Sequence, residues 1–555
     1  METRALLAII LSIAVLAGFQ YFFGNQMAPV DLNATNTTNK IDEVKNAPLQ
    51  KKDVDKKGQN KSLTSLSDLH FPKEGLNATK GKDIIVETPL FKAVLTENGG
   101  NFKHFVLKKY KESLDKDSKG VDLINVSPPL LPFGIKVFGG KELDLRARFF
   151  SSNKDRITLT NPDSKDEIIF TCDLAEGVKL IKKYSFKGDK YIIDFQVQLI
   201  GASANKYSIF LYDRPYKAST TYIFSGPSYF TPDKGLEEIS LDKPGEMHTY
   251  SGPLDWLSYG DNYFMIALIP QETKGPWSLV ITKLDDLGLT ESKLSGLVST
   301  KEVGSQIKLC NMMLYLGPKE IERLKSIGHN LSKAINFGWF DPIAKPLLYI
   351  LNFFYKYFHN YGVAIIVLTI LIKLLFWPLA HKSAQSMKTM QKLQPKLQKL
   401  KEKYGDDKER LNKELMQLYR TYKVNPMSGC LPMLLQIPVF FALYKVLLQA
   451  IELRHAPFVL WINDLSAPDR LMIPGVEIPM LGGIPVLTIL MGISMYVQQK
   501  MSPSSLDPTQ AKMMQFLPII FTFMFINFPS GLVLYWLVNN ILSIIQQYYV
   551  NKFTD

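Results

Sequence analysis

A chain of 555 residues with 65 Lys and Arg against 52 Asp and Glu carries a formal net charge of +13 and has room for more than one domain. Its mean hydropathy near zero averages a polar part before about residue 335 and a very apolar part after it, so the positive charge points to a membrane surface rather than to nucleic acid. Cys172, Cys310 and Cys430 show no CxxC or metal-ligand spacing, which excludes a disulfide framework and a zinc site, and no cofactor is implied.

The chain opens with METR followed by Ala5–Phe23, an uncharged apolar run behind positive charge. A cleaved signal peptide is one reading. The run is longer than a usual signal core and no A-x-A site follows, which favours an uncleaved membrane anchor over 1–23 starting on the cytoplasmic side. Residues 24–82 turn to Asn, Thr, Lys, Asp and Ser, with almost nothing to bury, and predict a solvated linker. From 83 to 327 the pattern is β-branched and aromatic runs split by turn residues. DIIVETPLFKAVLTENGGNFKHFVL reads as two strands around a Gly-Gly turn. Many short strands without helical periodicity predict a β-sandwich. Nothing in it supplies a nucleophile elbow, HExxH or phosphate loop, and His70, His104 and His248 are scattered.

Residues 333–358 are apolar but interrupted by Asp341, Pro342, Lys345 and Pro346, and rich in Trp, Tyr and Phe, which predicts an interfacial amphipathic helix. A membrane-length run follows at 359–380, with one charge inside it, Lys373. The segment 381–426 holds twelve Lys or Arg against five acids, a net +7 that marks a cytoplasmic loop. Met387, Met390, Leu393, Leu397 and Leu400, then Leu411, Leu415, Leu418 and Tyr422 after a break at YGDD, recur at helical spacing. They predict a helical hairpin whose leucine stripes pack its two arms together, with a partner-docking face on its basic side as the further reading. Further spans fall at about 429–449, 483–499, 513–528 and 531–549, with a tail at 550–555. The loop 451–482 carries a net −2, fitting the opposite side, so six spans put both termini in the cytoplasm.

The spans are unusually polar: Thr369, Lys373, Gln436, Tyr444, Asn527, Tyr535, Asn539 and Asn540 sit in or beside them. Single amides in spans often bond neighbouring helices, whereas several together with a lysine suggest a shared polar cavity. Lys373 itself has two readings. A charge buried in a bilayer costs at least ~2.5 kcal/mol and normally faces protein or water; a lysine can also snorkel toward the near interface.

The stretches KVNPMSGCLPMLLQIPVFFALYKVL, ELRHAPFVLWINDLSAPD and QKMSPSSLDPTQAKMMQFLPIIFTFMFINFPSGLVLYWLVNNILSIIQQ closely resemble the YidC-type membrane protein insertases, the relatives of the Oxa and Alb proteins. The resemblance is close over about 335–549 and looser over the anchor and β-domain. It implies a multi-domain membrane protein of the cell inner membrane: a periplasmic β-sandwich (83–327), a six-span helical bundle with both termini inside, and a cytoplasmic hairpin. It implies an insertase and chaperone that is not an enzyme and uses a polar groove open to lipid. In the family a positive residue, usually arginine, lies in the span before the hairpin, and the matching position is Lys373. Thr369, Gln436, Tyr535 and Asn540 match other groove positions. Leu435, Phe440, Phe516 and Phe521 would form the apolar slide along which a substrate helix passes into lipid. Implied partners are nascent membrane proteins, the Sec translocon with its accessory subunits, membrane lipids and the ribosome. The chain stops at VNKFTD, without the basic tail of many members, so ribosome docking falls to the hairpin and loops. Two rivals stand beside this reading: a solute transporter or channel using the intramembrane lysine, and an envelope enzyme acting through its β-domain.

Overall fold

The computed structural model describes residues 64–65, 81–175, 177–214, 224–272, 275–298, 306–405, 407–422, 431–473, 475, 481–501 and 508–553. The expected anchor over 1–23, nearly all of the linker, and the stretches 423–430 and 502–507 lie outside these residues. Within the linker, Thr64–Ser65 pairs in parallel with Ala202–Ser203.

Residues 83–318 form a nine-, a six- and a five-stranded sheet, almost wholly antiparallel. Strict alternation builds them: Val178–Lys187 and Ile192–Ile200 each bury every second residue, the period that a one-sided strand requires. The first stretch makes three strands rather than two, Asp83–Glu87, Phe91–Thr96 and Asn101–Lys111. The extra break lies at Thr88-Pro89, where Thr88 Oγ1 accepts the backbone N–H groups of Leu90 and Phe91, both at 3.1 Å; this local turn competes with the ladder. The Gly-Gly turn is as expected. Gly99 has φ +79°, and a Cβ there would lie 2.1 Å from the Arg146 carbonyl oxygen, so both backbone and space demand glycine.

The nine- and five-stranded sheets meet through aromatic rings. Phe102 sits edge-on to Tyr184 at 5.3 Å and near Phe186 at 6.4 Å. Lys182 is wholly buried in this layer. Its ammonium donates to Gly99 O at 2.7 Å, Asn101 Oδ1 at 2.8 Å and Phe133 O at 2.9 Å, tying the Gly-Gly turn to the large sheet. Burial pushes its amine down to about 7, and the three acceptors work against that by stabilising the ammonium.

The helical part follows. Helix α1 spans Ile321–Ile327, α2 Asp341–Phe358, α3 Tyr361–Tyr404, α4 Lys408–Thr421, α5 Leu431–Gln449, α6 Val486–Met501, α7 Pro508–Phe525 and α8 Ser530–Phe553. In α2, Pro342 occupies the first turn, where its missing N–H costs nothing. Its Ala344, Leu347, Leu348 and Leu351 are buried while Trp339, just before it, and Tyr357 are exposed, an amphipathic arrangement. His359 closes it in the left-handed region, and Asn360 caps α3 by accepting from Val363 N at 3.1 Å.

Helix α3 differs from expectation. Rather than ending near 380 and giving way to a separate hairpin arm, it runs unbroken for 44 residues through Pro378 and Pro395. A proline removes a backbone hydrogen bond, but each is followed by strong helix formers, Leu379 and Ala380 after Pro378 and Lys396, Leu397 and Gln398 after Pro395, which carry the helix across. The hairpin turn comes at Gly405, and Asp407 caps α4 by accepting from Arg410 N at 3.0 Å. The leucine stripes pack the arms together: Met390, Leu393 and Leu397 of α3 and Leu415 of α4 form a buried cluster, with Leu400, Leu411, Leu418 and Tyr419 against it. Tyr422 lies outside it, 40 % exposed. Helices α6, α7 and α8 are also offset from the expected spans by several residues. Among the described residues one helix segment, Tyr361–Met390, is long and apolar enough to cross a membrane; Leu435–Gln449 and Gln515–Phe525 are shorter apolar helices.

Candidate functional site

Helix α8 gathers the polar groups of its neighbours. In sequence it carries Tyr535, Asn539, Asn540, Ser543, Gln546 and Gln547 within an otherwise apolar helix. This spacing places them on faces that meet α3, α5 and α6. From α3, Lys373 Nζ donates to Ser543 Oγ at 2.6 Å. The Ser543 hydroxyl in turn donates to Asn539 O, four residues back, at 2.7 Å. From α5, the Gln436 side-chain amide donates to the Tyr535 hydroxyl. From α6, Ser494 accepts from Asn540 Nδ2 at 2.9 Å and donates to Met491 O at 2.6 Å. Nearer the chain's end, Gln547 Nε2 donates to Met501 O at 2.7 Å.

The five expected polar positions therefore fare differently. Lys373, Gln436, Tyr535 and Asn540 each meet another helix. Thr369 is buried and its hydroxyl is spent on Ile365 O at 2.6 Å, within its own helix. The positions that sequence reasoning missed are their partners, Ser543 and Ser494. A serine in an apolar helix is commonplace, and only its placement opposite a lysine or asparagine distinguishes it.

The four apolar positions also divide. Leu435 on α5 and Phe516 on α7 are exposed, Phe516 by 62 %, on a flank continued by Ile519, Ile520 and Phe523. Phe440 and Phe521 instead pack about Trp536, at ring-centroid distances of 5.0 Å and 6.2 Å. Trp536, next to Tyr535 in α8, was not singled out by sequence.

Beyond the helix ends, the loop after α5 holds the bundle in place. Asp469, 2 % exposed, caps α6: Oδ2 accepts from Leu487 N at 2.5 Å and Thr488 N at 3.3 Å, while Oδ1 accepts from Trp461 Nε1 at 2.6 Å. Arg470 donates to Ile526 O at 2.8 Å and Asn527 Oδ1 at 2.9 Å, fixing the turn between α7 and α8. Asn527 thus belongs to this turn rather than to a span. Arg454 reaches the β-rich part, donating to Lys111 O at 2.7 Å. Beside it Glu452 has one enclosed carboxylate oxygen, Oε2, without a partner. Burial first, and then the nearby Glu320 carboxylate, push Glu452 up to about 7, opposed by its own backbone N–H. Among the described residues no group of His, Cys, Asp and Glu is placed to hold a metal ion.

Comparison with known proteins covers both parts. The family model of the YidC periplasmic domain matches residues 83–350, and that of the 60Kd inner membrane protein matches 353–555. The chain is 42 % identical over 562 residues to the membrane protein insertase YidC of Geobacter metallireducens, covering 100 % of this chain and 98 % of the relative. It is 40 % identical over 566 residues to that of Syntrophobacter fumaroxidans, covering all of both chains. Among solved structures, one described as an active YidC insertase with the first transmembrane domain resolved is 20 % identical; the match covers 86 % of this chain and 94 % of that chain, with a TM-score of 0.37.

Proposed function

Because this chain belongs to the YidC family of membrane protein insertases, we propose that it inserts proteins into the cell inner membrane and assists their folding. On this reading it is a multi-pass protein of six spans with both termini in the cytoplasm and a large periplasmic domain. Lys373 and the polar groups around α8 line a groove open to lipid. The observation that carries the reading is Lys373: its ammonium lies within the apolar stretch of α3, held by a neutral hydroxyl, with no carboxylate paired to it among the described residues. An intramembrane cation costs at least ~2.5 kcal/mol, so a purely structural chain would rarely retain it.

The mechanism has no covalent step. Polar groups on α3, α5, α6 and α8 lower the desolvation cost of moving a short hydrophilic substrate segment partway across. Lys373 attracts acids in that segment. The substrate's apolar helix passes along the exposed flank of Leu435 and Phe516 into lipid, where burial of its apolar residues completes the transfer. Phe440 and Phe521 back this slide from within the aromatic cluster. Helix α6, 16 residues long, reaches only ~24 Å, which favours a locally thinned bilayer and a shorter path. Nascent membrane proteins are the substrates, delivered by ribosomes docking on the basic α3–α4 hairpin or by the Sec translocon with its accessory subunits. Membrane lipids receive the product. Relatives named as insertases do not favour the transporter or channel alternative.

The test is insertion of a short single-span substrate with an acidic translocated segment into vesicles, with position 373 as Lys, Arg, Glu or Ala and a photocrosslinker at Gln436 or Phe516. Activity retained with Arg and lost with Glu and Ala, with crosslinks to the substrate helix, is expected. Absence of both insertion and crosslinks in folded protein would sink the insertase reading.

A further inference from the structure

The geometry points to Ser543 as the positioning residue of Lys373, the hydroxyl that fixes where the ammonium presents its remaining protons to an incoming acidic segment. This rests on the role of Lys373 proposed above. The Ser543 hydroxyl proton is committed to Asn539 O at 2.7 Å. Its oxygen can therefore only accept, and it accepts from Lys373 Nζ at 2.6 Å. The direction of both hydrogen bonds is thus settled by the backbone carbonyl of α8. An ammonium has three donors on a flexible four-carbon stem, and one held by Ser543 leaves two directed away from α8.

Among the described residues Ser543 Oγ is the hydrogen-bond partner of Lys373 Nζ. The Thr369 hydroxyl, one turn before Lys373 on the same helix, donates to Ile365 O. Gln436 and Asn540 meet Tyr535 and Ser494 instead. The flanking residues Leu371, Leu374 and Leu375 are exposed and apolar. A lysine here without Ser543 would be drawn toward the nearest polar interface, as long basic side chains at membrane depth are. The hydroxyl opposes that drift and holds the charge at one depth, where a carboxylate on a passing segment meets it.

The experiment uses the full-length protein in vesicles with two substrates, identical except that the translocated segment carries Asp or Asn. Ser543→Thr keeps the hydroxyl; Ser543→Val has nearly the same shape without it. Ser543→Val is expected to slow insertion of the Asp substrate about ten- to a hundredfold, the scale of a lost hydrogen bond to a charged group. It should slow the Asn substrate markedly less than the Asp substrate, and Ser543→Thr should restore wild-type rates. In a Lys373→Ala background Ser543→Val should add nothing, because the two residues act as one unit. If Ser543→Val does not accumulate as folded protein, Ser543→Ala takes its place. Loss with Lys373→Ala but none with Ser543→Val overturns the positioning role and leaves that of Lys373 standing. Equal impairment by Ser543→Val on both substrates, or in the Lys373→Ala background, makes Ser543 a packing residue and also overturns it. Full activity in both single variants overturns the role of Lys373 and this inference together.

Discussion

Replacing Asp469 tests how firmly the outer loop positions the helices that carry the polar groups. Its carboxylate takes two backbone N–H groups at the start of α6 and the indole N–H of Trp461, in a place where it is 2 % exposed. Asp469→Ala removes the cap, worth about 1–2 kcal/mol. It also leaves the half-buried Trp461 indole N–H without its partner, at up to about 1–3 kcal/mol. The two losses share one site and are not fully additive, so about 2–4 kcal/mol of local stability is expected to go. Asp469→Asn should fall between Ala and wild type, because an amide keeps one acceptor but turns its NH2 toward donors. Thermal unfolding of the detergent-solubilised protein, followed by Trp fluorescence, should show a fall of roughly 4–10 °C for Ala. Insertion should weaken as well, since α6 carries the Ser494 that meets Asn540. An unchanged melting temperature in both variants would refute the claim that this carboxylate anchors α6.

Leu397→Ala empties part of the buried cluster between the hairpin arms, and a loss of about 2–4 kcal/mol there should appear as faster proteolysis of 381–422 with residues 83–318 still resistant. Glu452 gives a pH dependence. Its folded-state pKa is raised to about 7 from an ordinary 4.5 by burial and Glu320, so the folded form binds more protons than the unfolded one between those values. The stabilisation is full below the ordinary value and is lost as pH rises through about 7. Hydrogen-exchange protection factors of α1 and of residues 451–453, which are normalised for the base-catalysed intrinsic rate, should therefore fall between about pH 5 and 8 in wild type, and Glu452→Gln should remove that fall.

Most of the architecture was legible because it rests on periodicity and charge. Alternation in VKLIKKYSFK and IIDFQVQLI reports one-sided strands directly, and the +7 segment with its leucine stripes announced the hairpin. What escaped were places where a local rule was overridden or concealed. Pro378 and Pro395 invite a helix end, yet the strong helix formers after them keep α3 continuous through both. Thr88 hid a turn inside an apparently continuous strand, through side-chain hydrogen bonds that leave no periodic trace. Lys182 reads as one more polar residue of a strand, and it becomes a buried tie because the Gly-Gly turn and Phe133 bring three acceptors to it from distant stretches.

The site shows the same division between what one helix reveals and what two helices make. Lys373 was visible because a charge in an apolar run is costly wherever the run packs. Ser543, Ser494 and Trp536 were not, because serine and tryptophan are ordinary in such helices and acquire meaning only from the residue across the interface. The pairing follows one rule. Gln436 meets a tyrosine hydroxyl and Asn540 a serine hydroxyl, so each amide brings a neutral partner. Lys373 also meets a neutral hydroxyl rather than a carboxylate. An aspartate in place of Ser543 would lower the cost of keeping the cation in an apolar helix, but it would also occupy the charge that an acidic segment has to find. Holding Lys373 with serine fixes its position and leaves most of its electrostatic attraction unspent, which is the condition a transient binding site for acidic segments has to meet.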